Sequence, residues 1–327
     1  MAIDLVVRPG PAVTRQQFLT THPPFAIALD GYVFGEPWLE LTPDGPYRNF
    51  NHHEAVDRSC TSATCEQARR AVLLGLYELF RTDGARHATL YVNDCDQDVC
   101  LATWVLMNPD RATEPLVRVI SQIVDLLDMS AGVFPMPHER DLLGQVRWVF
   151  EPYARARPQL LAMPAAGLEQ VIVDVHHRLD AFVLGRAEVL PLVGEFTALG
   201  GGDGWVLAQV THQSARERMV ASGVRAAVEL FGRAGERYLY TLWRRSEYVV
   251  NFPLKDLLAA LNVVEGFAPV DREGWGGAET VGGSPRGRGS SLSPAQVEVI
   301  VNRVITEQSR TRPASPRASG AARPASP

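Results

Sequence analysis

Two short stretches of this chain concentrate imidazoles and carboxylates. They are Asn51-His52-His53-Glu54 and, forty residues further on, Asp94-Cys95-Asp96-Gln97-Asp98. Each follows a run with strand character, Tyr47–Phe50 before the first and Ala88–Val92 before the second, and each leads into a helical pattern. Asp30 closes a third such run, Phe25–Leu29. Carboxylate oxygens suit a hard divalent cation, and an imidazole moves the preference from Mg²⁺ towards Mn²⁺ or softer ions. Two such ions about 3.5–4 Å apart can hold an attacking hydroxide and polarise a phosphoryl oxygen. The chemistry these residues point to is metal-dependent hydrolysis of phosphoesters or phosphoanhydrides.

Groups so far apart in sequence need elements that bring them together. Trp38–Leu41 and Tyr47–Phe50 read as strands around the turn Pro43-Asp44-Gly45-Pro46. A helix is expected over Ser62–Phe80, with Ala68, Val72, Leu76 and Leu79 on one face, and further helices over Val99–Met107 and Glu114–Leu127. Strands alternating with helices predict an α/β fold with a largely parallel sheet and helices on both faces over residues 1–135. In such sheets ligands bind at the carboxyl ends of strands, where Asp30, His52 and Asp94 fall.

Residues 136–190 read as a helical connector, with Leu168, Val171, Val175, Leu179 and Phe182 at helical spacing. A smaller α/β domain is expected over 191–308. Its elements are a tight turn at Gly200–Gly204, a strand to Thr211 and a helix over Ala215–Phe231. A hairpin follows (Arg237–Trp243 with Tyr248–Phe252), then a helix over Leu254–Val264, a glycine-rich loop from Gly274 to Gly289 and a last helix from Pro294 to about Glu307. From Ser309 to Pro327 the chain has no acidic or large apolar residue and is expected to be disordered.

Taken together, these pieces resemble the DHH phosphoesterase superfamily. Asp94-Cys-Asp-Gln-Asp98 is similar to that family's first motif, Asp30 to its second, Asn51-His52-His53 to the Asp-His-His signature, and Asp128-Met-Ser-Ala-Gly-Val-Phe134 to its fourth motif. Here the order is second, third, first, fourth, and Asn51 stands where the signature has Asp. Arg245-Ser246 and the stretch Gly282-Gly-Ser-Pro-Arg-Gly-Arg-Gly-Ser290 resemble the family's smaller C-terminal domain, without the usual His after the glycines. The resemblance implies metal ligands among Asp30, His52, Asp94, Asp96, Asp98 and Asp128, with Mn²⁺ or Mg²⁺, two ions, as cofactor. Asp125 competes with Asp128, and Asp98 competes with itself as a helix cap. It further implies that His53 faces the substrate phosphate and acts in catalysis. Arg245, Gly283, Ser284 and Arg286 would hold the distal end of a small phosphorylated or nucleotidic substrate in an interdomain cleft. The substitution at Asn51 leaves open a relative that binds a phosphorylated ligand without hydrolysing it.

Composition bounds the alternatives. The 327 residues are 46% hydrophobic and 21% charged, ordinary for a globular protein with ample core. A net charge of −5 argues against long nucleic acid as partner, although Arg244, Arg245, Arg286 and Arg288 form a local basic strip. No apolar run is long enough for a membrane span, and Met1–Gly10 does not read as a signal peptide, so the cytoplasm is the expected compartment. Cys60, Cys65, Cys95 and Cys100 are expected to be free; an unrelated zinc protein using Cys60, Cys65, Cys95, His52 and His53 is the competing reading. Asp57 and Arg58 read as a local ion pair, and His176-His177 as ordinary helix residues. There is no Gly-x4-Gly-Lys-Ser/Thr and no Gly-x-Ser-x-Gly, which disfavours P-loop nucleotidases and α/β-hydrolases.

Overall fold

The computed structural model describes residues 2–130, 132–134, 136, 139–192, 194–211, 215–271, 273–285 and 287–311. The chain divides into two compact units, Met1–Leu192 and Val193–Pro327. Among the described residues no helix is long and apolar enough to cross a membrane.

The first unit runs β1 (Ala2–Val7), α1 (Arg15–Thr21), β2 (Ala26–Leu29), β3 (Trp38–Thr42), β4 (Gly45–Phe50), α2 (Thr64–Leu73), α3 (Leu76–Leu79), β5 (Arg81–Thr82), β6 (Ala85–Val92) and α4 (Gln97–Met107), followed by α5 (Pro115–Met129), α6 (Arg140–Val149), α7 (Glu151–Ala156) and α8 (Ala165–Val183). Its sheet has the order β1-β6-β2-β4-β3, with β5 as a short antiparallel flap on β6. The pairs β1–β6, β6–β2 and β2–β4 are parallel, and only the edge hairpin β3–β4 is antiparallel in the main path. The largely parallel α/β sheet read from the sequence is therefore present.

Strand β2 lies at the centre and is buried at all its positions, as a parallel strand enclosed by the fold must be. Alternation along the strands deals side chains to two clusters. Ile27, Leu29, Phe50, Leu90 and Val92 join a core with residues of α2, α4, α5 and α8. Ala26, Ala28, Tyr47 and Tyr91 pack with Phe18 of α1 and Trp38. Helix α4 is buried from Asp98 to Leu106, so it is apolar all round rather than amphipathic. The helices of 136–190 belong to this unit: Leu143, Val149, Leu168, Ile172 and Phe182 share the core of the sheet. The helix expected over 62–80 is interrupted at Leu74-Gly75.

The second unit runs β7 (Phe196–Gly202), β8 (Trp205–Val210), α9 (Ala215–Ala221), β9 (Ala226–Ala234), β10 (Arg237–Arg244), α10 (Leu254–Val264), β11 (Gly276–Gly277), β12 (Val281–Gly283) and α11 (Pro294–Thr311). The sheet order is β11-β12-β10-β9-β8-β7, and within it only β8–β9 is parallel. Trp205, Leu207, Val228 and Leu242 pack with Leu257 and Leu261 of α10 and with Val297 and Val301 of α11.

Four expectations are corrected here. The helix expected over 215–231 stops at Ala221, where Gly223, at φ 93°, closes a Schellman cap through Gly223 N–H to Val220 O (3.0 Å) and Val224 N–H to Met219 O (2.9 Å). The run after it is β9, which is the real hairpin partner of β10 in place of 248–252. Of the turn expected at Gly200–Gly204, Asp203-Gly204 make the tight turn into β8, whereas Gly200–Gly202 lie inside β7. Ser309–Thr311 continue α11; the rest of the tail lies outside the described residues.

Candidate metal centre

Strands β6, β2 and β4 are neighbours and parallel, so their carboxyl ends open on one edge of the sheet. The segments leaving those ends carry Asp94–Asp98, Asp30 and Asn51-His52-His53 respectively. Asp30 (φ 49°) and Gly31 (φ 78°) both adopt left-handed backbone, closed by Tyr32 N–H to Leu29 O at 3.1 Å. A Cβ at Gly31 would stand 3.3 Å from the His53 ring, so glycine serves both the turn and the close approach.

Asn51 braces the opposite segment and is not itself a ligand. Its Oδ1 accepts the backbone N–H groups of His52 (2.8 Å) and His53 (3.1 Å). Its Nδ2 donates to Gly35 O (2.7 Å), Val33 O (3.3 Å) and Glu54 Oε2 (2.9 Å). Donors stand on one side and acceptors on the other, a set only an amide can satisfy. This position needs Asn, and a carboxylate there would face two carbonyl oxygens and Glu54.

His52 is fully buried. Its Nε2 lies 2.8 Å from Asp128 Oδ2, 3.4 Å from Asp30 Oδ1 and 3.6 Å from Asp98 Oδ2. Neither ring nitrogen has a hydrogen-bond partner: the oxygens crowd Nε2 without lying in line with it. Burial alone would lower the pKa of this imidazole, but the carboxylates of Asp128 and Asp30 outweigh it and push the value up to about 10. His53, partly exposed, sits 2.8 Å from Asp30 Oδ1 through Nε2, which raises its pKa against the opposing effect of burial. Asp30 also accepts from Thr64 Oγ1 (3.1 Å); burial opposes its charge, yet the two imidazoles hold its carboxyl well below the usual range.

Helix α2 supplies the floor of this cluster. Its N-terminal residue Ala63 has no capping side chain, so the first amides find carboxylates from elsewhere. Asp98 takes Thr64 N–H and Cys65 N–H, both at 2.7 Å, and Asp125 of α5 takes Ala63 N–H at 2.6 Å. Burial, then Asp30 and Asp128, push the Asp98 carboxyl up to about 7. Asp128, one turn beyond Asp125, reaches His52 instead, and Arg58 Nη2 donates to its Oδ2 (3.2 Å) and to its backbone O (3.3 Å).

Two groups of side chains thus offer ligand atoms close enough to share an ion, Asp30 with His52 and His53, and His52 with Asp98 and Asp128. Asp96 caps α4 by accepting Val99 N–H (2.9 Å) and joins neither group; its pKa is raised by burial and then by Asp30, Asp128 and Asp98. Asp94 is exposed and folds back on Cys95 N–H (2.6 Å), outside both groups. No cysteine joins either group: Cys65, Cys95 and Cys100 are buried and Cys60 is exposed beside Ser59.

The glycine-rich segment of the second unit contributes two short strands to its sheet. Gly283 pairs in β12 with Thr241, and a Cβ there would come within 2.9 Å of Tyr240 O. Ser284 extends the ladder, its N–H and hydroxyl both engaging the Tyr240 backbone. The Ser284 amide is therefore taken. Arg245 is half-buried and donates to Val220 O (3.3 Å), while Arg286 lies outside the described residues. The sequence reading missed Arg58, assigned to Asp57. Asp57 Oδ1 is taken by Ser59 N–H (2.9 Å) and Ser59 Oγ (2.6 Å), an Asx-type turn that Asp57-Arg58-Ser59 signals.

The chain matches no protein-family model, no curated protein and no solved structure.

Proposed function

We propose that the first unit is a divalent-cation-dependent phosphoester hydrolase of the DHH phosphoesterase kind, acting on a small phosphorylated or nucleotidic substrate. The observation that carries this reading is His52: a fully buried imidazole with no hydrogen-bond partner, ringed by Asp30, Asp98 and Asp128 at three adjoining strand and helix ends. Buried carboxylates in such numbers draw positive charge, here a proton on His52 that a cation can replace, and oxygen donors with one or two imidazoles fit Mn²⁺ best, Mg²⁺ next. The two groups meet at His52, whose single Nε2 lone pair serves one ion, and we read the cluster as the holder of that cation. We also take the sheet as covered by helices on both faces, supported by the separate core clusters of α1 and of α2, α4, α5 and α8.

The chain's own groups then divide the work. Asp30, His52, Asp98 and Asp128 hold the cation, with Asp96 at its edge. Bound there, the cation supplies Lewis-acid polarisation of a phosphoryl oxygen. His53 keeps a proton through Asp30 and delivers it towards the leaving oxygen. Asn51 fixes both imidazoles by their backbone amides.

Asn51 also favours a second reading. The place of the signature carboxylate is taken by an amide whose atoms are fully engaged, so the site has one charge fewer and suits a binder of phosphorylated ligands. Release of p-nitrophenol from bis(p-nitrophenyl) phosphate by the full chain decides between them. Hydrolysis that needs Mn²⁺ and disappears in Asp128→Asn is the expected result. Mn²⁺ binding without turnover would select the binder.

A further inference from the structure

We propose that Arg58 binds the non-bridging phosphoryl oxygens of the substrate, giving up its contact with Asp128 when the cation site is filled. This rests on the metal-site reading above and adds the group that receives the anion. A phosphoester approaching Asp30, Asp96, Asp98 and Asp128 meets repulsion that a bound cation offsets only in part. A guanidinium fork is the side chain best matched to phosphate geometry.

Arg58 stands at the cluster and is not used up there. Its Nη2 lies 3.2 Å from Asp128 Oδ2, the same oxygen that is 2.8 Å from His52 Nε2. Among the described residues its hydrogen bonds to protein run through Nη2 alone, and its buried Nε has no partner. The sequence neighbour that would compete for it, Asp57, is engaged with Ser59. One carboxylate oxygen therefore serves imidazole and guanidinium together. Once Asp128 donates that oxygen to a cation, its pull on Arg58 weakens, and Nε with Nη2 becomes a two-pronged donor beside the cation.

The test is binding of inorganic phosphate to the full chain loaded with Mn²⁺, by calorimetry, in wild type, Arg58→Gln and Arg58→Lys, with Mn²⁺ affinity measured alongside. The expected result is phosphate affinity about 10- to 100-fold weaker in Arg58→Gln. Arg58→Lys should recover part of this, and Mn²⁺ affinity in Arg58→Gln should be unchanged or tighter. Phosphate affinity within about twofold of wild type, with Mn²⁺ still bound, would overturn the role of Arg58 alone. Loss of Mn²⁺ binding in Arg58→Gln would make it a residue that positions Asp128 and overturn the proposal. A wild type that binds no Mn²⁺ would remove the metal reading and this role together.

Discussion

Each unit of this protein buries charged groups, and two of the buried clusters, one in each unit, solve the problem in opposite ways. In the second unit Glu229, in the middle of β9, receives Arg216 through Nε (2.9 Å) and Nη2 (2.7 Å) and Trp243 Nε1 (2.8 Å). Both carboxylate oxygens are engaged and the charges balance. In the first unit, Asp30, Asp98 and Asp128 gather around His52, with His53 and Arg58 as the other cations in contact, and neither ring nitrogen of His52 has a hydrogen bond. His176 shows the ordinary case within the same unit. Its Nε2 meets Thr103 Oγ1 and Cys100 O, each at 3.0 Å, and burial lowers its pKa to about 4, so it rests neutral in the core. A closed buried cluster serves the fold, whereas an open one implies a missing partner.

The comparison breaks most visibly if the closed cluster proves dispensable. Arg216→Ala leaves Glu229 buried without its counter-ion, and the expected cost is about 3–5 kcal/mol in chemical denaturation with no change in Mn²⁺ affinity. A loss below about 1 kcal/mol would show the pair to be no structural anchor. A smaller effect is expected from Asn51→Asp. The new carboxylate would lose the donations to Gly35 O and Val33 O and face Glu54, at about 1–3 kcal/mol. If that variant is as stable as wild type and binds Mn²⁺ more tightly, the amide is not required by its surroundings.

Much of the first unit was legible because its signals are local. The runs Phe25–Leu29, Tyr47–Phe50 and Ala88–Val92 each end at a polar break, and β2, β4 and β6 stand there. That the three strands are neighbours is a tertiary fact, as is β1, whose pairing spans the chain from Ala2 to His87. The start of α2 carries no cap in its own sequence because its caps are Asp98 and Asp125, 34 and 62 residues away from the amides they receive. The same distance hid the split between Asp125 and Asp128. In the second unit, Ala226–Phe231 is an apolar run that periodicity cannot assign, interrupted by a glutamate whose partner, Arg216, lies on another element. The glycines of 274–290 are there partly for strand pairing, a use composition does not distinguish from an anion cradle.

Proton competition sharpens the contrast further. His52 holds a proton up to about pH 10 and Asp98 up to about pH 7, so a cation must displace them. Mn²⁺ affinity should rise with pH from about 6 to 9, about tenfold per unit for each proton displaced, with proton release visible in buffers of different ionisation enthalpy. Stability of the metal-free protein runs the other way. The folded-state pKa of His52 exceeds its ordinary 6.5, so its contribution is complete below that value and is lost as pH rises through about 10. Asp98, raised from 3.8 to about 7, subtracts stability across that interval as it ionises. Thermal unfolding with EDTA should therefore weaken towards alkaline pH, while the Mn²⁺-loaded protein should not; parallel curves would count against the open cluster.

The most direct measurement is a calorimetric titration of Mn²⁺ into metal-free wild type and His52→Ala. A saturable isotherm in wild type, weakened more than about 100-fold in His52→Ala while the variant keeps its fold, is the predicted result. No binding by wild type, or two superimposable isotherms, would contradict the claim that this buried imidazole and its carboxylates form a cation site.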